Sequence, residues 1–216
     1  IELEKKFGIG PHTISFPRLE PAHQVALDQF ARYRVSDEDF KRLVMILRLS
    51  VPHAGLIVTA REPEQMRREV LNLGITQTDA SSRIGIGGYV EAEAQQRKEK
   101  QQFILGDTRS LDGVIREFAQ KGYITSFCTA GYRCGRTGKC IMDLLRDGTE
   151  GKFCKLNAIL TFREWLDDFA SDETKKVAEP VLQKEMEEVK KKMPTLYPKL
   201  IDFYERIKKG ERDLYL

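Results

Sequence analysis

Short apolar runs alternate with helical patterns in the first half of the chain, which is typical of strand–helix–strand units. Residues 12–17 predict a strand, and the continuous apolar run GLIVTA at 55–60 predicts another that is buried on both faces. Between them, residues 36–50 predict a helix with a serine N-cap and apolar positions at helical spacing. A helix over 63–73 and a third strand over 75–80 complete the pattern. This order predicts a parallel sheet whose helices cover one face.

The second half of the chain is mostly helical by the same criteria. Residues 123–128 predict one short strand, which leads into a segment that contains all four cysteines. The segment 157–170 has a broad apolar face that includes Trp165 and Phe169. Outside the strand–helix–strand pattern, helices are predicted over 2–7, 110–122, 139–146, 157–170, 172–192 and 195–209.

Three strands are too few for a closed barrel, and this sets the expected domain organisation. An eight-stranded (β/α) barrel takes about 250 residues, and a three-stranded slice of one would expose a long hydrophobic edge. The chain also starts at Ile1, without a methionine. We therefore expect a fragment of the α/β class. The last parallel strands and helices of a TIM-type barrel would occupy residues 1–105, and a mostly helical C-terminal domain would occupy residues 106–216.

Composition narrows the class of protein. Of the 216 residues, 41% are hydrophobic and 32% are charged, which predicts a folded globular protein. The net charge is only +3 and no aromatic–basic stripe accompanies it, so we expect no nucleic-acid partner. No apolar run reaches the roughly 20 residues that span a bilayer, so no membrane is expected. Four cysteines without a secretory signal predict a reducing cytoplasm.

The segment from 126 to 160 carries the strongest chemical signal. It contains Cys128, Cys134, Cys140 and Cys154 among glycines and basic residues. A thiol beside Lys or Arg ionises more readily, and the thiolate binds soft metals. These residues therefore suit a metal or iron–sulfur site. Spacing alone does not decide the matter, because the C-x-x-C pair typical of zinc sites is missing and reduced structural thiols are the more ordinary outcome.

The loop after the third predicted strand is the second candidate site. Its sequence is SSRIGIGGY, at 81–89. In parallel α/β folds, the loops after strands carry the chemistry. The small hydroxyls, Arg83 and three glycines could cradle a carboxylate or a phosphate, whereas the simpler interpretation is a flexible loop with a solvated arginine.

Six segments, taken together, are more specific than any single motif. They are FGIGPHTISFPRLEPA (7–22), SDEDFKRLVMILRLSVP (36–52), GITQTDASSRIGIGGY (74–89), FCTAGYRCGRTGK (127–139), KFCKLNAILTFREWLDDFA (152–170) and GERDLYL (210–216). In content and order they resemble the C-terminal half of the HydG family, the radical S-adenosylmethionine tyrosine lyases that mature FeFe-hydrogenase. The resemblance covers nearly the whole chain.

The resemblance implies a complete enzyme with a radical S-adenosylmethionine barrel. In that family, an N-terminal cysteine motif holds a 4Fe–4S cluster that cleaves S-adenosylmethionine, and the resulting radical leads to cleavage of the tyrosine Cα–Cβ bond. The products are p-cresol and dehydroglycine, and a C-terminal auxiliary cluster converts dehydroglycine to CO and cyanide on iron. For this chain the resemblance implies an auxiliary 4Fe–4S (or 5Fe) cluster. S-adenosylmethionine and its own 4Fe–4S cluster would be bound mainly by an N-terminal half outside the chain.

The family's auxiliary cluster uses a C-x2-C-x22-C motif, which maps onto this sequence with one departure. Its outer ligands fall on Cys128 and Cys154, whereas the middle position is Gly131. Glycine has no thiolate to offer to iron. Cys134, three residues further along, is the expected substitute ligand, and Cys140 is a weaker choice.

Two further roles follow from the resemblance. His12 matches the histidine that ligates an additional iron next to the auxiliary cluster, a role for which imidazole is suitable. Arg83, together with Ser81 or Ser82, is expected to pair with the carboxylate of the substrate. The expected partners are tyrosine as the substrate and other hydrogenase maturation proteins, and a homodimer is one option.

Three alternatives stay open at this point. The first is a related thiamin-type lyase (2-iminoacetate synthase), which shares the barrel but lacks the auxiliary-cluster motif. The second is a non-catalytic scaffold that has lost the cluster, which Gly131 favours. Retention of Cys128 and Cys154 counts against both, and retention of His12 also counts against the scaffold. The third is a zinc domain that uses all four cysteines, and metal analysis would separate it from the others.

Overall fold

The structure, a computed structural model, divides the chain into two compact units. The sheet unit spans Pro11–Ser110, and the helical unit combines Ile1–Gly10 with Leu111–Leu216. The expected division into barrel strands over 1–105 and a cluster domain over 106–216 stays a prediction. Two compact units do not by themselves identify one as part of a barrel or the other as a cluster-binding domain. The described residues are 2–20, 22, 32–85, 87–88, 101–127 and 129–216, with 130 and 150 described by their backbone only.

In the sheet unit, helices and parallel strands alternate in the order that the hydrophobic pattern predicts. The sheet has the order β1-β2-β3 and is parallel throughout, with Thr13 opposite Gly55 and Ile57 opposite Gln77. None of the described helices is both long and apolar enough to cross a membrane. In chain order, the elements are α1 (Glu2–Phe7), β1 (Thr13–Ser15), α2 (Asp37–Ser50), β2 (Gly55–Val58), α3 (Glu64–Leu71), β3 (Gln77–Thr78), α4 (Leu111–Gln120), α5 (Ala130–Arg133), α6 (Gly138–Arg146), α7 (Glu150–Asp168), α8 (Asp172–Lys192) and α9 (Tyr197–Lys208).

Local sequence explains where α2 begins and how it packs. The Ser36 hydroxyl accepts a hydrogen bond from the backbone N–H of Asp39 at 3.1 Å, as the predicted N-cap requires. Phe40 and Val44, one turn apart, are buried against the sheet and α3. Both helices therefore cover the same face of the sheet, as predicted. The buried cluster on that face consists of Phe40, Val44, Leu56, Val58, Met66, Val70 and Ile75.

The other face of β2 is less buried than the apolar run predicts. Leu56 and Val58 are buried, whereas Gly55 and Ile57 are only half-buried. Alternate residues of a strand point to opposite faces, and α2 and α3 pack against the face of Leu56 and Val58. The expected burial on both faces is therefore correct for one face only.

The helical unit is organised around α7. This helix packs against α6, α8 and α9, while α4 packs against α8. Asp112 joins α4 to the start of α8, because its carboxylate accepts hydrogen bonds from the Ser171 N–H at 3.0 Å and from the Thr174 hydroxyl at 2.9 Å. Apolar residues at helical spacing form the fully buried face of α7: Leu156, Ile159, Leu160, Phe162 and Leu166.

Three sequence-based predictions for the helical unit are wrong in detail. α7 begins at Glu150 rather than at 157, so Cys154 lies inside the helix. Phe169, expected on the apolar face, follows the end of α7 and is 73% exposed. Residues 123–127 form no strand. Ile124 of this segment packs against the helical core. A strand needs a neighbouring strand for its backbone hydrogen bonds, and a helix cannot provide them.

The buried face of α7 allows a direct test of this packing. We expect Phe162→Ala to lower the free energy of unfolding by about 3–5 kcal/mol, because it removes a large, fully buried side chain and leaves a cavity. Phe169→Ala is the matched control, since its exposed side chain should change stability by less than about 0.5 kcal/mol. Urea denaturation measures both values. Equal losses in the two variants would contradict the assigned core.

Candidate functional site

Charged and hydroxyl residues gather where the strands of the sheet end. Arg18 follows β1, Glu62 follows β2, and the segment 79–83 follows β3. Because the strands are parallel, these residues leave the sheet at one edge, which we call the carboxyl edge. Ligands of parallel α/β sheets and barrels bind at this edge.

Arg18 and Glu62 form a buried ion pair at the carboxyl edge. The Arg18 Nε donates to Glu62 Oε1 at 3.0 Å, and the two side chains are 9% and 2% exposed. The Asp37 carboxylate accepts from Arg18 Nη1 at 2.7 Å. The hydrogen bond to Glu62 is the main reason that the pKa of Arg18 lies above its ordinary value. The pair therefore joins the ends of β1 and β2 to the start of α2, a structural role that sequence reasoning missed.

Ser81, Ser82 and Arg83 lie together on the loop directly after β3. The Ser82 hydroxyl donates to Asp79 Oδ2 at 2.5 Å. Arg83 Nη1 donates to the carbonyl oxygen of Gly88 at 3.2 Å. Ser81 has a positive φ of 55°, a conformation that few residues other than glycine adopt. The three residues predicted to bind a carboxylate are thus neighbours on one loop, called here the Ser81–Arg83 loop.

Buried charges support this loop from α3. Arg67 donates to the carboxylate of Asp107, to the hydroxyl of Thr78 and to the carbonyl oxygen of Asp79. Arg67 is 5% exposed and Asp107 is 4% exposed. Arg109 also binds the Asp107 carboxylate, through Nε at 3.0 Å and Nη2 at 2.7 Å. The network ties α3, the end of β3 and the segment 106–109 together.

Sequence reasoning identified neither Arg67 nor Asp107. A signal for Arg67 was present, because it lies next to Met66 and three residues before Val70, on the buried face of α3. A charged residue inside an apolar stripe needs a buried partner. Nothing in the local pattern marks Asp107 as that partner, since the two residues are 40 positions apart.

Asp107 stays charged although it is buried. Burial by itself would raise the pKa of Asp107, but the hydrogen bonds from Arg109 and the charge of Arg67 outweigh it, so the pKa lies below its ordinary value. The N–H groups of Gly106 and Asp107 both donate to the carbonyl oxygen of Ala60, at 2.9 and 3.0 Å. Glycine permits this close approach, since a Cβ at 106 would lie 2.5 Å from a backbone carbonyl oxygen of the segment after β2.

His12 lies at the opposite, amino edge of the sheet. It immediately precedes β1, and its carbonyl oxygen accepts a hydrogen bond from the N–H of Gly55 at 2.9 Å. The residue is half-buried. The structure therefore separates His12, the predicted iron ligand, from the predicted substrate residues by the length of the strands.

The predicted cysteine ligands belong to the helical unit. Cys134, just after α5, and Cys154, in α7, are exposed reduced thiols, as is Cys140 in α6. Cys128 lies outside the described residues. Across the described ranges, no three His, Cys, Asp or Glu side chains form a metal-binding group. The donor chemistry of accessible thiols fits an iron–sulfur cluster, and the predicted ligand set stays a prediction because Cys128 is not described.

The segment Gly210–Leu216, called here the tail, contacts both α7 and the short helix α5, which ends just before Cys134. The Leu216 N–H donates to Asn157 Oδ1 at 2.7 Å, and Asn157 Nδ2 donates to the Leu216 carbonyl oxygen at 3.0 Å. Asp213 forms an ion pair with Arg133 of α5. The tail thereby holds the two stretches that carry Cys134 and Cys154.

A cavity of about 300 Å³ lies between the tail and α7. Its charged groups hold the tail: Arg133 pairs with Asp213, and Glu164 accepts from the Asp213 N–H at 2.9 Å. Burial raises the pKa of Glu164 above its ordinary value, against the opposing effect of its backbone hydrogen bonds. We therefore regard the cavity as a crevice of the tail rather than as a ligand site. Its lining consists of Phe127, Thr129, Arg133, Thr161, Glu164, Trp165, Asp168, Phe169, Asp213, Leu214 and Tyr215.

Comparisons with known proteins agree on one group of relatives. The sequence profile of the Biotin and Thiamin Synthesis associated domain matches residues 15–124. A crystal structure of HydG, described as a maturase of the FeFe-hydrogenase, is 43% identical, with a TM-score of 0.90 over 100% of this chain and 45% of that chain. The FeFe-hydrogenase maturase HydG from Carboxydothermus hydrogenoformans is 34% identical, with a TM-score of 0.60 over 94% of this chain and 41% of that chain. A search of curated proteins gives no match. The chain thus spans less than half the length of these two structures.

Asp107 allows the buried network to be tested through its pH dependence. Its lowered pKa stabilises the fold above the unfolded-state pKa of about 3.9, and this contribution is lost as the pH falls through the lower folded value. We expect Asp107→Asn to destabilise the chain by about 3–5 kcal/mol at neutral pH, because it leaves Arg67 buried without its charge partner. The difference from wild type should shrink below about pH 4. A difference that stays constant in urea unfolding from about pH 3 to 7 would contradict this.

Proposed function

Because the chain belongs to the Biotin and Thiamin Synthesis associated domain family and is of the HydG type, we propose that it is part of a maturase of FeFe-hydrogenase. The supporting observation is its likeness to HydG over the entire chain. In this proposal the complete enzyme is a radical S-adenosylmethionine lyase that cleaves the Cα–Cβ bond of tyrosine to p-cresol and dehydroglycine. It then forms CO and cyanide on iron, and works with other hydrogenase maturation proteins in the cytoplasm.

The proposed place of the sheet unit is the last part of a TIM-type barrel. Three parallel strands with helices on one face support this assignment. The half-buried face of β2, with Gly55 and Ile57, would then point to the barrel interior. S-adenosylmethionine and its own 4Fe–4S cluster would be bound mainly by residues outside this chain.

The carboxyl edge is the proposed binding site of the tyrosine carboxylate. The Arg83 guanidinium would pair with it through two parallel N–H···O bonds, a geometry that these two groups share. Ser81, which is exposed, would offer its hydroxyl as a further donor. The Ser82 hydroxyl already donates to Asp79, so Ser82 would act by holding the loop.

The proposed ligands of the auxiliary cluster, 4Fe–4S or 5Fe, are Cys128, Cys154 and Cys134, with His12 for the additional iron. When bound, the cluster would supply the iron on which CO and cyanide form. Cys134 would replace the thiolate that is missing at Gly131. The accessible thiols of Cys134 and Cys154 support this set. Gly131 supports a second candidate, a tyrosine lyase that has lost the auxiliary cluster.

Arg83 provides a test of the substrate site in the full-length maturase. We expect Arg83→Lys to raise the KM for tyrosine roughly 10- to 100-fold, because one ammonium cannot replace two parallel hydrogen bonds. The KM for S-adenosylmethionine should not change. Anaerobic p-cresol formation gives both constants, and Arg42→Lys, at an exposed position of α2, is the control. A wild-type protein that makes no p-cresol would refute the reaction, whereas an unaffected Arg83→Lys would refute only the assigned residue.

Anaerobic reconstitution of this chain with iron and sulfide tests the cluster ligands. We expect Cys154→Ala and Cys134→Ala to lose the bound cluster, because each removes a thiolate. Cys140→Ala is the matched control and should retain it, since Cys140 is likewise an exposed thiol but lies outside the proposed set. Metal analysis and EPR of the reduced protein provide the measurement. Full iron in Cys154→Ala would contradict the ligand set, and a wild-type chain without iron would favour the lyase that has lost the cluster.

A further inference from the structure

We infer that Arg67 is a positioning residue for substrate binding: its buried side chain sets the conformation of the Ser81–Arg83 loop, and thereby the affinity for the carboxylate of the amino-acid substrate. The inference rests on the proposed role of this loop in binding tyrosine. Arg67 is 5% exposed, so it acts through its neighbours and not by touching the substrate. Two separate sets of hydrogen bonds connect it to the loop.

The first connection runs through Asp79. Arg67 donates to the carbonyl oxygen of Asp79 and to the hydroxyl of Thr78, the last residue of β3. The Asp79 carboxylate accepts from the Ser82 hydroxyl at 2.5 Å and from the Ala60 N–H at 2.7 Å. Ser82 is therefore tied to the ends of both β2 and β3, and Arg67 holds the residue that makes this tie.

The second connection runs through Asp107. Arg67 and Arg109 bind the same Asp107 carboxylate, which draws the backbone of Arg109 towards the end of the sheet. The carbonyl oxygen of Arg109 accepts the N–H of Ser81 at 3.2 Å. Arg67 therefore also holds the segment to which the first residue of the loop is bonded.

Ser81 adopts an unfavourable backbone conformation that both connections, through Asp79 and through Asp107, help to stabilise. Its φ of +55° lies in the left-handed region, which is sterically unfavourable for a residue other than glycine. Such conformations persist where surrounding contacts determine them, and they are frequent at ligand-binding positions. Here one connection binds the N–H of Ser81 and the other binds the side chain of Ser82. The direction of Arg83, two residues after Ser81, follows from this conformation.

Lysine at position 67 would keep the charge but not the geometry. Arg67 reaches Asp107 through Nη1, and it reaches Thr78 and Asp79 through Nη2. A lysine has one nitrogen in place of this planar fork. It can still neutralise Asp107, so we expect the fold to be preserved, but it cannot hold both connections in the same arrangement.

Equilibrium dialysis of the full-length maturase, without oxygen, compares two ligands in the Arg67→Lys variant. Tyramine is tyrosine without its carboxylate. We expect the variant to bind tyrosine roughly 10- to 100-fold more weakly than wild type, because small displacements of positioning groups have effects of this size. Tyramine should bind with unchanged affinity. Equal weakening of both ligands would overturn the inference, because a general structural loss does not distinguish a carboxylate.

Arg68→Lys is the matched control. Arg68 is the next residue on α3, its side chain is 38% exposed, and it pairs with Glu64 on the same helix. This variant should bind both ligands as wild type does. If Arg67→Lys does not fold, Asp79→Asn decides, since it replaces one of two accepting oxygens and leaves Ser82 or Ala60 without an acceptor. The same selective loss of tyrosine is expected, and unchanged tyrosine affinity would overturn the inference.

Arg83→Lys, measured by the same dialysis, separates the inference from the function on which it rests. If Arg83→Lys weakens tyrosine binding and Arg67→Lys does not, the inference is wrong and the proposed site stands. If neither variant weakens it, the Ser81–Arg83 loop is not the carboxylate site, and both the site and the inference are wrong. Selective weakening by both variants supports both.

Discussion

A buried ion pair between Arg67 and Asp107 holds the carboxyl edge of the sheet unit together. Both residues are almost inaccessible to water, so each charge has lost its hydration and needs a partner: Arg67 pairs with Asp107, and Asp107 with both Arg67 and Arg109. The pair determines how the segment around Asp107 lies against the ends of β2 and β3. Because the backbone of Arg109 in that segment binds Ser81, the conformation of the Ser81–Arg83 loop follows from the same interaction.

The parallel arrangement of the strands separates two kinds of chemistry within the sheet unit. Residues that follow the strands, such as Arg83, meet at the carboxyl edge, whereas His12 precedes β1 and lies at the amino edge. Each residue of a strand adds about 3.3 Å, so the four residues of β2 place the two edges roughly 13 Å apart. In the proposed maturase, Arg83 and His12 would therefore serve different steps at opposite ends of the strands.

The helical unit uses α7 for two purposes. One face forms the core of the unit, and the same helix carries Cys154 and the Asn157 side chain that binds the tail. Asp213 of the tail pairs with Arg133, one residue before Cys134. If Cys134 replaces the ligand missing at Gly131, its position would be set by the tail as well as by α5, the short helix that precedes it. The tail gives a physical reason why a substituted thiol could still be held near α7.

Local sequence was sufficient for the three strands of the sheet, for most helices and for the composition of the candidate loop. Caps such as Ser36 and apolar spacing such as that of α2 act over a single turn, so they are visible in a short stretch of residues. The position of the Ser81–Arg83 loop after a strand likewise needed only the order of elements. The start of α7 was less predictable, because Gly151 lies in its first turn and glycine disfavours a helix.

Tertiary structure alone decided the left-handed conformation of Ser81, the exposure of Phe169 and the partner of Arg67. Each depends on groups that are distant in the sequence. A buried charge is stable only beside a partner that another segment supplies, and a strand forms only beside another strand. Periodicity shows which residues face inward, but the folded chain determines what they meet there.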